Sequence, residues 1–268
     1  MANDTVQMER AVGVPGDRAR RPTVAGSLLK LVNRILEPSL NLHVIKRDYL
    51  VTLSRTVELT EPRLMRHFLY QRRLLETVAT LQGDIVECGV GYGRSLLYWA
   101  LLTREEGQGR WLWGFDSFEG FPEPSRWDQG LKASKKGRWR VDMTEAARLL
   151  SNSRFDVTMC RSDQMPPAGG EGAVLLVQGF FHESLPRFPE RHIALLYIDA
   201  DLYDSYKDAL TWLYPRVVRG GIIAFDEYEQ ELKWPGAKRA IDEYLGERVR
   251  WIQQDRQTGK CYLVKQEG

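Results

Sequence analysis

The sequence is poor in cysteine, in long apolar runs and in blocks of like charge. Its three cysteines, Cys88, Cys160 and Cys261, are odd in number and far apart, with no CxxC or Cys/His pattern. That excludes a disulfide framework and a thiolate zinc site, and makes a reducing cytoplasm the expected compartment. No run of roughly eighteen apolar residues offers a membrane span. The opening MANDTVQMERAVGVPGDRARRP lacks the apolar centre of a secretory signal. With 38 basic against 36 acidic residues, and only short clusters such as Arg18 to Arg21 and Lys135 to Arg138, no nucleic-acid or membrane partner is expected.

What is present suits one α/β core. The 268 residues are 43% hydrophobic and 28% charged, enough for a single large domain with an N-terminal extension. Residues 1–23 are expected to be a disordered tail. Residues 24–82 read as a helical cap, with apolar positions at helical spacing in Leu28, Leu31, Val32 and Ile35, then in Leu64, Phe68, Leu69, Leu74, Leu75 and Val78. From 83 to 268 short apolar runs alternate with helix-compatible sequence. The runs at 84–90, 111–115, 174–177, 193–198 and 221–225 read as buried parallel strands, and the helices fall at 95–102, 146–150, 205–213 and 236–245. Residues 249–253 and 261–265 flank a polar turn at Thr258 and Gly259, which predicts a closing β-hairpin. The whole is a doubly wound, mostly parallel sheet of seven strands. The polar stretch 119–140 is too long for an ordinary connection, and reads as a lid or a disordered loop.

The first strand ends in Glu87-Cys-Gly89-Val-Gly91-Tyr92-Gly93-Arg-Ser95. Glycines at alternate positions let the backbone turn sharply and approach a ligand that side chains would exclude. Asp116 ends the next strand, where a carboxylate can accept from both hydroxyls of a ribose. Dinucleotide enzymes share that acid but use GxGxxG to seat a pyrophosphate. The tighter GxGxG here, preceded by Glu87, favours a cationic sulfonium ligand with a free amino group.

Two later strand ends carry carboxylates, in Tyr197-Ile-Asp199-Ala-Asp201-Leu-Tyr-Asp204-Ser205 and Phe225-Asp226-Glu227-Tyr228. Asp199, Asp226 and Glu227 lie where one hard divalent cation could be held, Mg²⁺, Mn²⁺ or Ca²⁺ in preference to zinc. Asp204 reads as a helix cap, and Glu229 and Glu231 as solvated loop. Asp201, two residues beyond Asp199 and on the same side of an extended segment, is the candidate general base for a hydroxyl. His182, just past a strand end in GFFHESLP, is its rival. His43, His67 and His192 read as structural or exposed.

The segments GDIVECGVGYGRS, GFDSFEGFP, GFFHESLP, LLYIDADLYDS, LYPRVVRGG and WPGAKRAIDEYL together resemble the macrocin O-methyltransferase family over about residues 83–246. The resemblance implies a Rossmann-like class I methyltransferase fold and an enzyme that methylates sugar hydroxyls in antibiotic biosynthesis. It implies Mg²⁺ (or Mn²⁺) at Asp199, Asp226 and Glu227 and a base at Asp201. Contacts with S-adenosylmethionine are implied around Glu87, Gly89, Asp116, Ser117 and Gly179. Gly91, Tyr92, Gly93, Ser95, Phe180 and Asp199 complete the expected cofactor set. The partner implied is a small-molecule hydroxyl acceptor, such as a glycoside, and homo-oligomerisation is left open. Two features depart from the family pattern: Asp226-Glu227 stands where two aspartates are usual, and residues 160–172 are longer than usual. An NAD(P)-dependent oxidoreductase and a catalytically silent binding protein are the alternatives, disfavoured by the glycine spacing and by the retained acids.

Overall fold

A computed structural model describes residues 62–132, 134–166 and 172–267, together with the backbone of 42–47 and 50–55. The expected tail 1–23, the helical positions Leu28 to Ile35, and residues 167–171 of the long segment lie outside the described residues.

Residues 1–59 and 60–268 form separate units. In the first, strands β1 (Leu42–Arg47) and β2 (Leu50–Arg55) pair antiparallel, Leu42 opposite Arg55. The helical reading of residues 24–82 is corrected here. β-branched Val44, Ile45, Val51 and Thr52 favour extended backbone over helix. The reading holds further on, in helix α1 (Pro62–Thr77), which opens on a proline and buries Leu64, Leu74 and Leu75.

The second unit is built on β3 (Asp84–Cys88), α2 (Arg94–Glu106), β4 (Leu112–Asp116), α3 (Met143–Asn152), β5 (Val157–Arg161), β6 (Val174–Gln178), the short α4 (Phe181–Ser184), β7 (Ile193–Ile198), α5 (Tyr203–Leu213), β8 (Val217–Phe225), α6 (Pro235–Leu245), β9 (Ile252–Gln254) and β10 (Cys261–Val264). Their order across the sheet is β5-β6-β4-β3-β7-β8-β10-β9. The strands β5 to β8 run parallel with β3 and β4, and β10 and β9 close the sheet antiparallel.

The sheet therefore has eight strands, one more than expected. The addition is the edge strand β5, whose VTMCR buries only Cys160 and so lacks the continuous apolar run that marks the others. In β3 and β7 every residue is buried, because successive side chains enter opposite cores. Val86, Leu196 and Ile198 pack with Tyr206 and Leu210 of α5 and Ile241 of α6. Ile85, Leu195 and Tyr197 pack with Leu74 of α1, Trp99 of α2 and Leu150 of α3. Helices thus cover both faces, as in a doubly wound fold. Among the described residues no helix is long and apolar enough to cross a membrane.

The described residues of the 119–140 stretch, 119–132 and 134–140, form a strap. Its ends pair through Phe121 N–H to the Arg138 carbonyl at 2.8 Å and Gly137 N–H to the Phe121 carbonyl at 2.9 Å. Between them, the buried Asp128 accepts from the Ser125 amide and hydroxyl at 2.7 Å and from the Tyr203 amide at 2.8 Å. The cap of α5 therefore comes from the strap and not from Asp204. A Cβ on Gly236 would stand 2.0 Å from Asp128 Oδ1, so this approach requires glycine.

Candidate active site

Where β3 ends, the chain crosses the end of β7 so closely that a Cβ on Gly89 would lie 1.8 Å from the Asp199 carbonyl oxygen. Gly89, Gly91 and Gly93 all have positive φ, at 94°, 50° and 82°, so the turn needs all three. Asp116 shapes that turn. Its Oδ2 accepts from the Val90 and Gly91 amides at 3.0 and 2.9 Å, and its Oδ1 from the Phe118 amide at 2.8 Å. Of about four acceptor positions on a carboxylate, this leaves one for a ligand hydroxyl. Burial raises the Asp116 pKa against the pull of those three amides.

Glu87 lies wholly buried, and neither carboxylate oxygen has a hydrogen-bond partner. Burial pushes its pKa well above the carboxyl range, Asp199 adds to the rise, and the neighbouring Ser95 hydroxyl opposes it. Ser95 Oγ accepts from Gln71 of α1 at 2.6 Å, which leaves the serine's own hydroxyl hydrogen free to turn toward Glu87. An orphaned buried carboxylate is costly, and a cationic group beside it removes the cost. The site therefore fits a cationic nucleoside such as S-adenosylmethionine.

Asp199, Asp226 and Glu227 each offer an oxygen within 4.8 Å of the others. All-oxygen donors and mutually repelling carboxylates suit a hard divalent ion. Tyr197 donates to Asp226, and Tyr206 to Glu227. Lys260, in the turn before β10, forms an ion pair with Asp226. Burial, with Asp199 and Asp201 as neighbours, pushes Glu227 well above its usual range. His67 of α1 stands 3.4 Å from the Tyr197 hydroxyl, its pKa lowered to about 3 by burial and then by Lys260, Arg63 and Arg94.

A cavity of about 650 Å³ extends from the glycine turn and Asp116 to Asp199 and Asp201. Of the expected site residues, Gly89, Gly91, Tyr92, Asp116, Ser117, Phe180, His182, Asp199 and Asp201 line it. Glu87, Gly93, Ser95 and Gly179 do not line it, and the Gly179 amide donates to the Asp116 carbonyl at 3.0 Å. Asp226 and Glu227 do not line the cavity, and reach it through Asp199. Asp201 is not in extended backbone as its spacing suggested. Its φ is +58°, yet it faces the same cavity. Burial, then Asp199, raises its pKa to about 8, while Lys132 and Arg138 of the strap pull it back. His182 sits at the rim, its side chain 62% exposed and stacked on Phe180.

Sequence reasoning missed Lys260, Tyr197 and Tyr206, and set His67 aside. Only Lys260 had a legible signal. The β8–β10 register sets Cys261 opposite Phe225, which puts Lys260 next to Asp226.

The model of the macrocin-O-methyltransferase (TylF) family matches residues 65–255. The chain is 31% identical over 163 residues to demethyldecarbamoylnovobiocin O-methyltransferase of Streptomyces niveus, covering 60% of this chain and 58% of that protein. It is 30% identical over 168 residues to mycinamicin III 3''-O-methyltransferase of Micromonospora griseorubida, covering 60% of each. The matched stretch thus spans about three-fifths of the length of these curated relatives. Among solved structures, calicheamicin methyltransferase CalS11 superposes with TM-score 0.66 at 23% identity, over 95% of this chain and 99% of that one. The O-methyltransferase NovP gives 0.60 at 22% identity, over 91% and 100%. These two share the fold, and the family match extends over most of this sequence: the chain belongs to the macrocin-O-methyltransferase family.

Proposed function

We propose that this protein transfers the methyl group of S-adenosylmethionine to a hydroxyl of a sugar or glycosylated natural product, assisted by Mg²⁺ or Mn²⁺. The observation that carries this reading is one cavity bounded by both the glycine turn and Asp199, a member of the acidic trio. Names of the relatives point the same way, since one is an O-methyltransferase of demethyldecarbamoylnovobiocin and the other a 3''-O-methyltransferase of mycinamicin III.

Asp116, with its remaining acceptor position, would hold the ribose, and Glu87 the cationic amino acid end. Asp199, Asp226 and Glu227 would hold the metal, which when bound acidifies a coordinated hydroxyl. Asp201 receives the hydroxyl proton as the new O–CH₃ bond forms and the S–CH₃ bond breaks. Its pKa, raised to about 8, makes the carboxylate more basic than usual, and the deprotonated form that accepts the proton predominates only above that value. His182 is a weaker candidate, being largely solvated at the rim. Phe121 and Trp139 of the strap wall the cavity and keep water from the reacting atoms.

The test is turnover with labelled S-adenosylmethionine against a panel of glycosides, phenols and acids. Asp201→Asn is expected to lose about 10² to 10⁴ in turnover with cofactor binding retained. Loss of methylation in His182→Ala, with Asp201→Asn active, would reverse the assignment of the base.

A further inference from the structure

The ion pair between Lys260 and Asp226 places a lysine ammonium on an oxygen of the carboxylate trio. Both side chains are mostly shielded, at 16% and 14% exposure, so the pair is no solvated surface contact. The same Asp226 oxygen also accepts from Tyr197. Asp226 is therefore neutralised and hydrogen-bonded without any metal.

Lys260 is held at its root and free only along its stem. Its amide donates to Thr258 Oγ1 at 3.3 Å, and its carbonyl accepts from the Asp255 amide at 2.8 Å. Asp255 in turn accepts from the Thr258 amide at 2.9 Å and is bridged to Arg73 of α1 at 2.6 Å. The backbone cannot carry the ammonium away, whereas four flexible methylenes can. A divalent ion seated on Asp226 would face a like charge at close range unless that stem swings aside.

We propose that Lys260 is a tethered cation that competes with the divalent metal for Asp226. This rests on the reading of Asp199, Asp226 and Glu227 as the metal site. Lys260 keeps the trio's charge compensated in the metal-free protein, and its displacement is a cost that each metal-binding event must meet. Metal affinity is thereby set lower than the three carboxylates alone would give.

The test uses the full chain, stripped of metal, titrated with Mn²⁺ by calorimetry or by electron paramagnetic resonance. Lys260→Met and Lys260→Gln are each expected to bind one Mn²⁺ at least about tenfold more tightly than the parent. Binding of the demethylated cofactor at the glycine turn reports whether each variant is folded. A measurement on the parent needs no variant: saturating Mg²⁺ should raise the rate of Lys260 labelling by an amine-reactive reagent severalfold, read by mass spectrometry. Equal or weaker Mn²⁺ binding in both variants, or metal binding with unchanged Lys260 labelling, would overturn the competition. Absence of Mn²⁺ binding in all three proteins would instead overturn the metal site and the competition with it.

Discussion

Neither carboxylate oxygen of Glu87 is hydrogen-bonded, the Ser95 hydroxyl being the donor nearby, and its surroundings favour the protonated form. Its folded-state pKa is raised, so its contribution to stability is full below the ordinary carboxyl range and is lost as pH rises toward the folded value. Glu87→Gln removes that loss. The ligand-free variant should melt close to the parent at about pH 4.5 and above it by a margin that widens toward about pH 8. The same change should weaken cofactor binding by about tenfold or more, since a charge-assisted hydrogen bond is lost, ~1.5 to 3 kcal/mol. Parallel melting curves across pH would mean that Glu87 is paired in solution and not reserved for a cation. At this scale the sequence was legible wherever an acid directly follows an apolar strand, as Asp116, Asp199 and Asp226 do. Tyr206 and His67 gave no such sign. Their roles come from partners 21 and 130 positions away, and no local spacing encodes those distances.

Among the elements, the strap is where spacing said least. Its length was plain, but its order depends on Asp128 reaching the first amide of α5 and on Gly236 leaving room for it. Asp128→Ala removes a helix cap, worth about 1 kcal/mol, together with the Ser125 bonds that shape the strap. The parent should resist trypsin near Lys132 to Arg138 even without ligand. Asp128→Ala should be cut there about tenfold faster while its melting stays cooperative. Equal cutting rates would mean that the strap is held by other contacts, such as Arg239 lying over the Trp127 ring at 3.5 Å. The edge strand β5 was illegible for a related reason. A strand with one neighbour and one wet side needs no apolar run, and VTMCR has none. Strands β3, β4, β6 and β7 were read to within two residues because burial on both faces favours an unbroken apolar run, whereas β8 begins four residues earlier than read, in its partly exposed Val217 to Gly220.

Over the whole molecule, the strand order reverses between β3 and β7, and a crevice opens there at the carboxyl ends of the strands. Strands β3, β4 and β6 carry the glycine turn, Asp116 and Phe180 on one side of it. On the other, β7, β8 and β10 carry Asp199, the Asp226-Glu227 pair and Lys260. Gly89 against the Asp199 carbonyl is the seam between the two halves. The two halves should therefore be separable by mutation. Asp226→Asn, which alters no residue lining the cavity, should leave affinity for the demethylated cofactor within about twofold while Mn²⁺ affinity falls about tenfold or more. Asp116→Ala should do the reverse, since it removes both the ribose acceptor and the clamp on the Val90 and Gly91 amides. Calorimetry with each ligand on each variant gives four affinities. If Asp226→Asn weakened both ligands equally, the halves would not be independent, and the acidic trio would act as a structural support for the cofactor turn instead of a metal site beside it.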